Sequence, residues 1–200
     1  MSVSTSTAAL QRGARVPLRL DGASLGKKAL FVALGTLVLA AASWIEVPMV
    51  PVPMTMQTYA VVLIGALCGW RLAGAVVLAY LGEAVIGLPV LSGGASGPIH
   101  FVGPTAGYLI GFPLAAMLVG WLAEKGWTRD LLRSSAAMLL GHAVILGLGV
   151  AWLAALIGWQ DAVAFGLMPF LVGTVLKSAL AVATIHLMLR RRPAGSDAGR

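Results

Sequence analysis

Two charged residues lie inside apolar stretches of the sequence. Lys177 is near the middle of the apolar residues 162–189, and Glu83 lies within the apolar residues 72–88. A charged side chain at membrane depth costs at least about 2.5 kcal/mol, so by default it faces a cavity or a partner. An ammonium group suits an anion, and a carboxylate is the common one. We therefore predict that Lys177 anchors a small ligand with one carboxylate.

A structural explanation of the two charges stays open. Lys177 and Glu83 could pair with each other, or Lys177 could extend to the membrane surface. Extension is disfavoured because Lys177 lies roughly 20 Å from either end of its predicted helix, at about 1.5 Å per residue. Glu83 is only about one and a half turns from its nearer end, which leaves a ligand role and a structural role equally open.

A glycine-rich loop follows these apolar residues. It runs from Pro89 to Gly103 and has three further glycines between them. Glycine lets the backbone approach a ligand closely and move, and about 15 residues without secondary structure are long for a compact protein. We predict that this loop caps the ligand site, the alternative being a plain flexible connection.

The same loop raises an enzymatic alternative. Residues 94–97 (Gly-Ala-Ser-Gly) match the pattern around the nucleophile of rhomboid intramembrane proteases, with His142 or His186 as the base. The rhomboid serine begins a transmembrane helix, whereas Ser96 is followed by Pro98 inside a loop. A lone histidine on an apolar helix is more often packed and hydrogen-bonded than catalytic. We find no metal-ligand cluster and no phosphate loop, and we expect a protein that is not an enzyme and holds no cofactor.

Six apolar helices must position these residues. Only 10% of the residues are charged and 59% are hydrophobic, whereas soluble domains have roughly 25% charged residues. The composition therefore predicts an all-α integral membrane protein.

A proline-rich link follows the first helix, and Gly69-Trp70-Arg71 favours a tight hairpin over two separate short spans for the second and third helices. The predicted transmembrane helices cover about residues 27–44, 57–68, 72–88, 104–125, 131–157 and 162–189.

The basic residues are distributed unequally between the two sides of the membrane. The links at 46–57, 88–103 and 158–162 contain no lysine or arginine. By the positive-inside rule, the other side and both termini lie in the cytoplasm. The basic residues on that side are Arg12, Arg15, Arg19, Lys27, Lys28, Arg71, Lys125, Arg129, Arg133 and Arg190 to Arg192.

Two helices carry small residues four positions apart. On the fourth helix this face predicts close packing inside the bundle. Ala29 and Ala33 form a similar pair on the first helix, which could pack internally or face another subunit. The small residues of the fourth helix are Gly103, Gly107, Gly111 and Ala115.

The remaining sequence forms two short tails, and the first, which contains Ser, Thr, Ala and Arg, shows no apolar period. Residues 1–24 and 193–200 are predicted to be disordered cytoplasmic tails, and residues 25–192 a single transmembrane domain. The net charge of +7 would suit nucleic acid in a soluble protein. Here the basic residues adjoin helix ends, where they contact lipid headgroups, so we expect a lipid bilayer and no nucleic acid as partner.

Four stretches resemble one family. Residues 52–58 (VPMTMQT), 87–90 (GLPV), 103–112 (GPTAGYLIGF) and 169–177 (PFLVGTVLK) are similar to the BioY family, the biotin-binding S components of energy-coupling-factor (ECF) transporters. The resemblance covers about residues 27–190 in the family's order.

The resemblance implies a function and a location. It implies a six-helix S-component bundle in the bacterial cytoplasmic (inner) membrane, which takes up biotin through a site near the outer face. It also implies an ECF transmembrane coupling protein and two ATPase subunits as partners, so ATP would act only on those subunits. Ala29 and Ala33 match the small-residue motif that meets this module, although some family members are thought to work alone.

The family's site residues carry over in part. Its Asp-x-x-Lys motif appears as Thr174 to Lys177, an asparagine position in the loop is Ala95, and an arginine position is Leu109. The lysine is kept and the usual ureido contacts are absent, so another small carboxylated vitamin or precursor is an alternative ligand. We expect polar contacts from Glu83, Gln57, Ser92 or Thr174, and walls from Trp44, Tyr59, Tyr80 and Tyr108.

Overall fold

The computed structural model describes residues 24–190, which form a helical bundle. The predicted tail 193–200, and the predicted tail 1–24 apart from Ser24, lie outside the described residues. Two short strands, β1 (Glu46–Val47) and β2 (Met54–Thr55), pair antiparallel between the first two helices. The helices are α1 (Leu25–Ser43), α2 (Gln57–Cys68), α3 (Trp70–Val85), α4 (Ala106–Glu124), α5 (Leu131–Ile157), α6 (Trp159–Gly166) and α7 (Met168–Arg190).

The sixth predicted helix is divided into two. The bounds predicted for α2 and α5 are confirmed, but the stretch predicted as residues 162–189 consists of α6 and α7, which meet at Leu167. Pro169 explains the break, because proline lacks an N–H donor and its ring clashes with the carbonyl four residues earlier. In the first turn of α7 proline is tolerated.

The helices differ in their capacity to cross a membrane. Within residues 24–190, α1, α4, α5 and the segment 159–190 are long and apolar enough to span it. Helices α2 and α3 have 12 and 16 residues, fewer than the about 20 that a full span needs. The prediction of an all-helical, multi-span membrane protein is confirmed.

A single glycine joins α2 to α3. Gly69 has φ +77°, and the Trp70 N–H donates to Glu124 Oε1 at 3.2 Å. A Cβ on Gly120 of α4 would lie 2.5 Å from the Trp70 nitrogen. The predicted bend is therefore present, and the end of α4 packs directly against it.

Small residues let α4 lie close to α5. A Cβ on Gly111 would lie 2.9 Å from the Ile145 Cα, and a Cβ on Gly107 would meet the Leu148 carbonyl. This confirms the internal packing predicted for the fourth helix. Gly103 was wrongly placed on that helix, since α4 begins at Ala106 and the Gly103 carbonyl instead accepts from Trp152 Nε1 at 3.0 Å.

Apart from Lys177, the basic residues within 24–190 lie near one end of the bundle, at the starts of α1, α3 and α5 and at the ends of α4 and α7. Arg71 adjoins the bend that packs on the end of α4, next to Lys125. We call this the basic end. The opposite end, where residues 86–105 join α3 to α4, is the loop end, and we call this segment the glycine loop. The bundle therefore has two chemically different ends, as the sequence predicts.

Replacement of Gly111 by alanine tests the close packing. Because its Cβ would meet the α5 backbone, we expect Gly111→Ala to lose about 1–3 kcal/mol of stability. Gly147 on α5 has no atom within 4 Å of a built Cβ, so Gly147→Ala should stay within about 1 kcal/mol of wild type. Thermal unfolding in one detergent measures both variants, and equal midpoints would contradict the predicted packing.

Candidate functional site

A cavity of about 410 Å³ lies at the loop end of the bundle. It is bounded by the link between α1 and α2, the glycine loop, and helices α2, α4, α5 and α7. Its volume falls within the roughly 300–1,000 Å³ usual for small-ligand sites. The wall is largely apolar. Its larger side chains are the aliphatic Val52, Leu91, Ile99, Leu109, Ile145 and Leu146 and the aromatic Tyr108, Phe112 and Phe170.

Lys177 reaches the cavity from α7. Its Nζ donates to the Thr55 carbonyl at 2.6 Å and to Thr58 Oγ1 at 3.3 Å. A lysine ammonium has three donors, so two are engaged by neutral acceptors. Neither partner is Glu83, and the predicted alternative of a Lys177–Glu83 pair is wrong. Because α7 begins at Met168, Lys177 is also nearer to its helix start than predicted, at about 14 Å.

A chain of hydrogen bonds continues from Thr55 behind the cavity. Thr55 Oγ1 donates to Gln57 Oε1 at 3.2 Å, Gln57 Nε2 donates to the Tyr80 hydroxyl, and Tyr80 donates to the Val90 carbonyl at 2.7 Å. Tyr80 is fully buried. Buried polar groups need such partners, and the chain fixes β2, α2, α3 and the glycine loop relative to one another.

The glycine loop covers one side of the cavity. It contains two short 3₁₀ turns, Ser92–Gly94 and Pro98–Phe101, where the sequence predicted no regular structure. Ser92 Oγ donates to the Glu46 carboxylate, and the Gly97 N–H donates to the Ala84 carbonyl at 2.7 Å. The loop is therefore tied both to the link after α1 and to the end of α3.

Most of the predicted site residues meet at this cavity. Lys177, Gln57, Ser92, Ala95 and Tyr108 line it. They come from four separate parts of the chain, namely α2, the glycine loop, α4 and α7, which makes this cavity the candidate site.

Other predicted contacts lie elsewhere. Thr174 and Glu83 are half-buried and do not line the cavity. Tyr80, one turn before Glu83, fills the space between α3 and Gln57. Of the other predicted aromatic walls, Trp44 is exposed and the Tyr59 hydroxyl pairs with Thr184 Oγ1 at 3.0 Å.

Three polar residues of the cavity wall were not predicted from the sequence. Thr58, His100 and Thr105 all face the cavity. Thr58 follows the predicted Gln57 directly, which is the one available signal. His100 and Thr105 lie in the glycine loop, where no periodicity indicates which side chains point inward.

The histidines on the helices are engaged in packing contacts. His142 Nδ1 lies 3.0 Å from the Met138 carbonyl and 3.1 Å from Ser178 Oγ, and His186 Nε2 lies 3.1 Å from Ser134 Oγ. Neither contacts Ser96, which does not line the cavity. The geometry gives the hydrolase alternative no support. Among residues 24–190, no three His, Cys, Asp or Glu side chains group as metal ligands do.

Comparison with known proteins gives consistent matches. A model of the BioY family matches residues 15–194. A probable biotin transporter BioY from Pyrococcus horikoshii is 37% identical over 154 residues, which cover 77% of this chain and 88% of that protein. A biotin transporter BioY from Rhizobium etli is 37% identical over 161 residues, covering 76% and 83%.

A solved structure matches the fold. It is the crystal structure of the S-component for biotin from an ECF-type ABC transporter. The TM-score is 0.70 at 26% sequence identity, and the match covers 83% of this chain and 92% of that chain.

Removal of the Ser92 hydroxyl tests whether it holds the glycine loop. Ser92→Ala loses the hydrogen bond to Glu46, so we expect amide hydrogen exchange in residues 91–97 to rise about fivefold. Ser96→Ala is the matched control, because within the described chain the Ser96 hydroxyl makes no hydrogen bond. Exchange measured by mass spectrometry should separate the two variants, and wild-type exchange in Ser92→Ala would show that the contact does not hold the loop.

Proposed function

Because the chain belongs to the BioY family, we propose that it is the substrate-binding (S) component of a biotin uptake transporter. The observation that carries the proposal is the ammonium of Lys177 in the wall of a largely apolar cavity, where both of its hydrogen-bond partners among residues 24–190 are neutral oxygens. Biotin has a carboxylate at one end and an otherwise neutral, mostly apolar body. The carboxylate suits the Lys177 ammonium, and the apolar body suits the apolar wall of the cavity.

The carboxylate binds at Lys177. Both hydrogen-bond partners of its Nζ within the described chain are neutral oxygens, of Thr55 and Thr58. The positive charge and the third N–H are therefore available to an anion. A charge-assisted hydrogen bond at a partly buried site is stronger than a neutral one, so the carboxylate fixes the orientation of the ligand.

The loop end faces outward and captures the ligand there. The links at this end contain Glu46 and Asp161 and no lysine or arginine, whereas Arg71 and Lys125 lie at the basic end. The positive-inside rule then places the basic end and both termini in the cytoplasm of a bacterial cell. The glycine loop is a lid that opens to admit biotin to the cavity.

Transport uses an ECF coupling protein and its ATPase subunits. Ala29 and Ala33 are exposed on α1, so no other part of the described chain covers them. Small residues four positions apart allow two helices to approach closely, and this face is the contact with the coupling protein. ATP is hydrolysed on the partner subunits.

A different small carboxylated vitamin is the second candidate ligand. Thr174 replaces the aspartate of the family's motif and lies outside the cavity wall. Mass spectrometry of the small molecule that co-purifies with the protein in detergent distinguishes this ligand from biotin.

Loss of the lysine charge should weaken biotin binding strongly. Removal of one partner of a buried charge pair costs about 2–5 kcal/mol, so we expect the Kd of Lys177→Ala to rise at least about thirtyfold. Lys125 lies over the Trp121 ring at the basic end, which makes Lys125→Ala a matched control. Isothermal titration with biotin measures both, and a wild-type Kd for Lys177→Ala would refute the proposed anchor.

A bulky side chain on α1 should separate binding from transport. Ala33→Trp is expected to abolish co-purification of the coupling protein and ATPases and to stop biotin uptake, while the biotin Kd stays within about twofold, because α1 does not line the cavity. Val175→Trp on the exposed face of α7 is the control and should retain all three properties. Unchanged co-purification with Ala33→Trp would show that the contact lies elsewhere.

A further inference from the structure

The polar side chains of the cavity wall differ in whether they form hydrogen bonds within the protein. Seven of them already make at least one side-chain hydrogen bond within the protein. These are Thr55, Gln57, Thr58, Ser92, Thr105, Tyr108 and Lys177.

His100 is the exception among the polar lining residues. Its backbone is well held, since its carbonyl accepts from Thr105 Oγ1 at 3.2 Å and its N–H donates to the Gly97 carbonyl at 3.4 Å. Within residues 24–190, however, neither nitrogen of its ring has a hydrogen-bond partner. The half-buried imidazole therefore faces the cavity with its hydrogen-bonding capacity unused.

The backbone that carries the His100 ring is tied to α5. It belongs to the 3₁₀ turn Pro98–Phe101. The turn is followed by Gly103, whose carbonyl accepts from Trp152 Nε1 of α5 at 3.0 Å. These contacts hold the backbone of the turn against α5, so little backbone entropy is lost when His100 contacts a ligand in the cavity.

We propose that His100 reads the ureido group of the ligand by one hydrogen bond while Lys177 holds the carboxylate. This assignment rests on the proposed function. A neutral imidazole offers one donor and one acceptor, and a ureido group offers two N–H donors and one carbonyl acceptor. Either ring nitrogen therefore finds a partner on that group, whereas the apolar wall offers none.

Two variants and two ligands test the assignment. In His100→Leu the hydrogen bond is lost, and we expect the Kd of biotin to rise roughly tenfold. Biotin amide, in which a neutral amide replaces the carboxylate, should be weakened by the same factor in this variant. Lys177→Ala should weaken biotin far more than biotin amide, because its effect depends on the carboxylate. Isothermal titration gives all the values.

A conservative variant separates hydrogen bonding from packing. Glutamine keeps a donor and an acceptor, so His100→Gln should bind biotin within about threefold of wild type. Ser96→Ala, in the same loop but outside the cavity wall, should bind as wild type does. Equal losses in His100→Leu and His100→Gln would overturn the assignment and leave a packing role.

Other outcomes distinguish the two proposals. A loss in His100→Leu that disappears with biotin amide means that His100 contacts the carboxylate, which overturns the assignment to the ureido group. Wild-type affinity for biotin in His100→Leu overturns it as well. If the wild-type protein binds no biotin, the proposed function itself fails and the role of His100 fails with it.

Discussion

The ammonium of Lys177 imposes a constraint that a bundle of helices alone cannot meet. Inside an α-helix each carbonyl is already bonded to an N–H four residues later, so helices have few free acceptors for a buried cation. The non-helical link between α1 and α2 supplies one, the Thr55 carbonyl, at 2.6 Å from Nζ. Irregular backbone at membrane depth is tolerated where it lines a cavity. The lysine, the short strands and the cavity therefore depend on one another.

The break between α6 and α7 also leaves a backbone carbonyl that needs a partner from another helix. Gly166 ends α6, and the last carbonyls of a helix lack partners within it. The Tyr108 hydroxyl donates to the Gly166 carbonyl at 2.8 Å, and its ring stacks with Phe170 at 6.0 Å between centroids. One side chain of α4 thus satisfies a helix end and forms part of the cavity wall, so the shape of the cavity depends on a break that Pro169 causes.

Helix α4 is closely packed along its length, whereas the glycine loop that precedes it is held by fewer contacts. The helix contacts α5 through glycines near its start and the α2–α3 bend through Gly120 near its end. The glycine loop is held by fewer contacts, among them Tyr80 to Val90 and Ser92 to Glu46. Segments with few buried contacts open at low free-energy cost. Opening of the proposed site is therefore expected at residues 90–97, and not at the turn that carries His100 or in the helices that carry Lys177 and Tyr108.

The sequence alone determined the features that depend on composition and local pattern. Charge content gave the membrane fold, hydrophobic length gave the bounds of α2 and α5, and the spacing of small residues gave the packing face of α4. An unexplained charge pointed to Lys177, which does line a cavity. Each of these follows from residues close in sequence, or from a cost that does not depend on neighbours.

Only the tertiary structure decided which other polar residues meet Lys177. Glu83 and Thr174 lie outside the cavity wall, while Thr58 and His100 lie within it. Helical periodicity shows that residues share a face, but not which neighbouring helix covers that face. The orientation of a glycine-rich loop depends on contacts between distant residues, such as the Gly97 N–H with the Ala84 carbonyl. No local sequence pattern encodes such contacts, so the tertiary structure alone decides which side chains form the wall of the cavity.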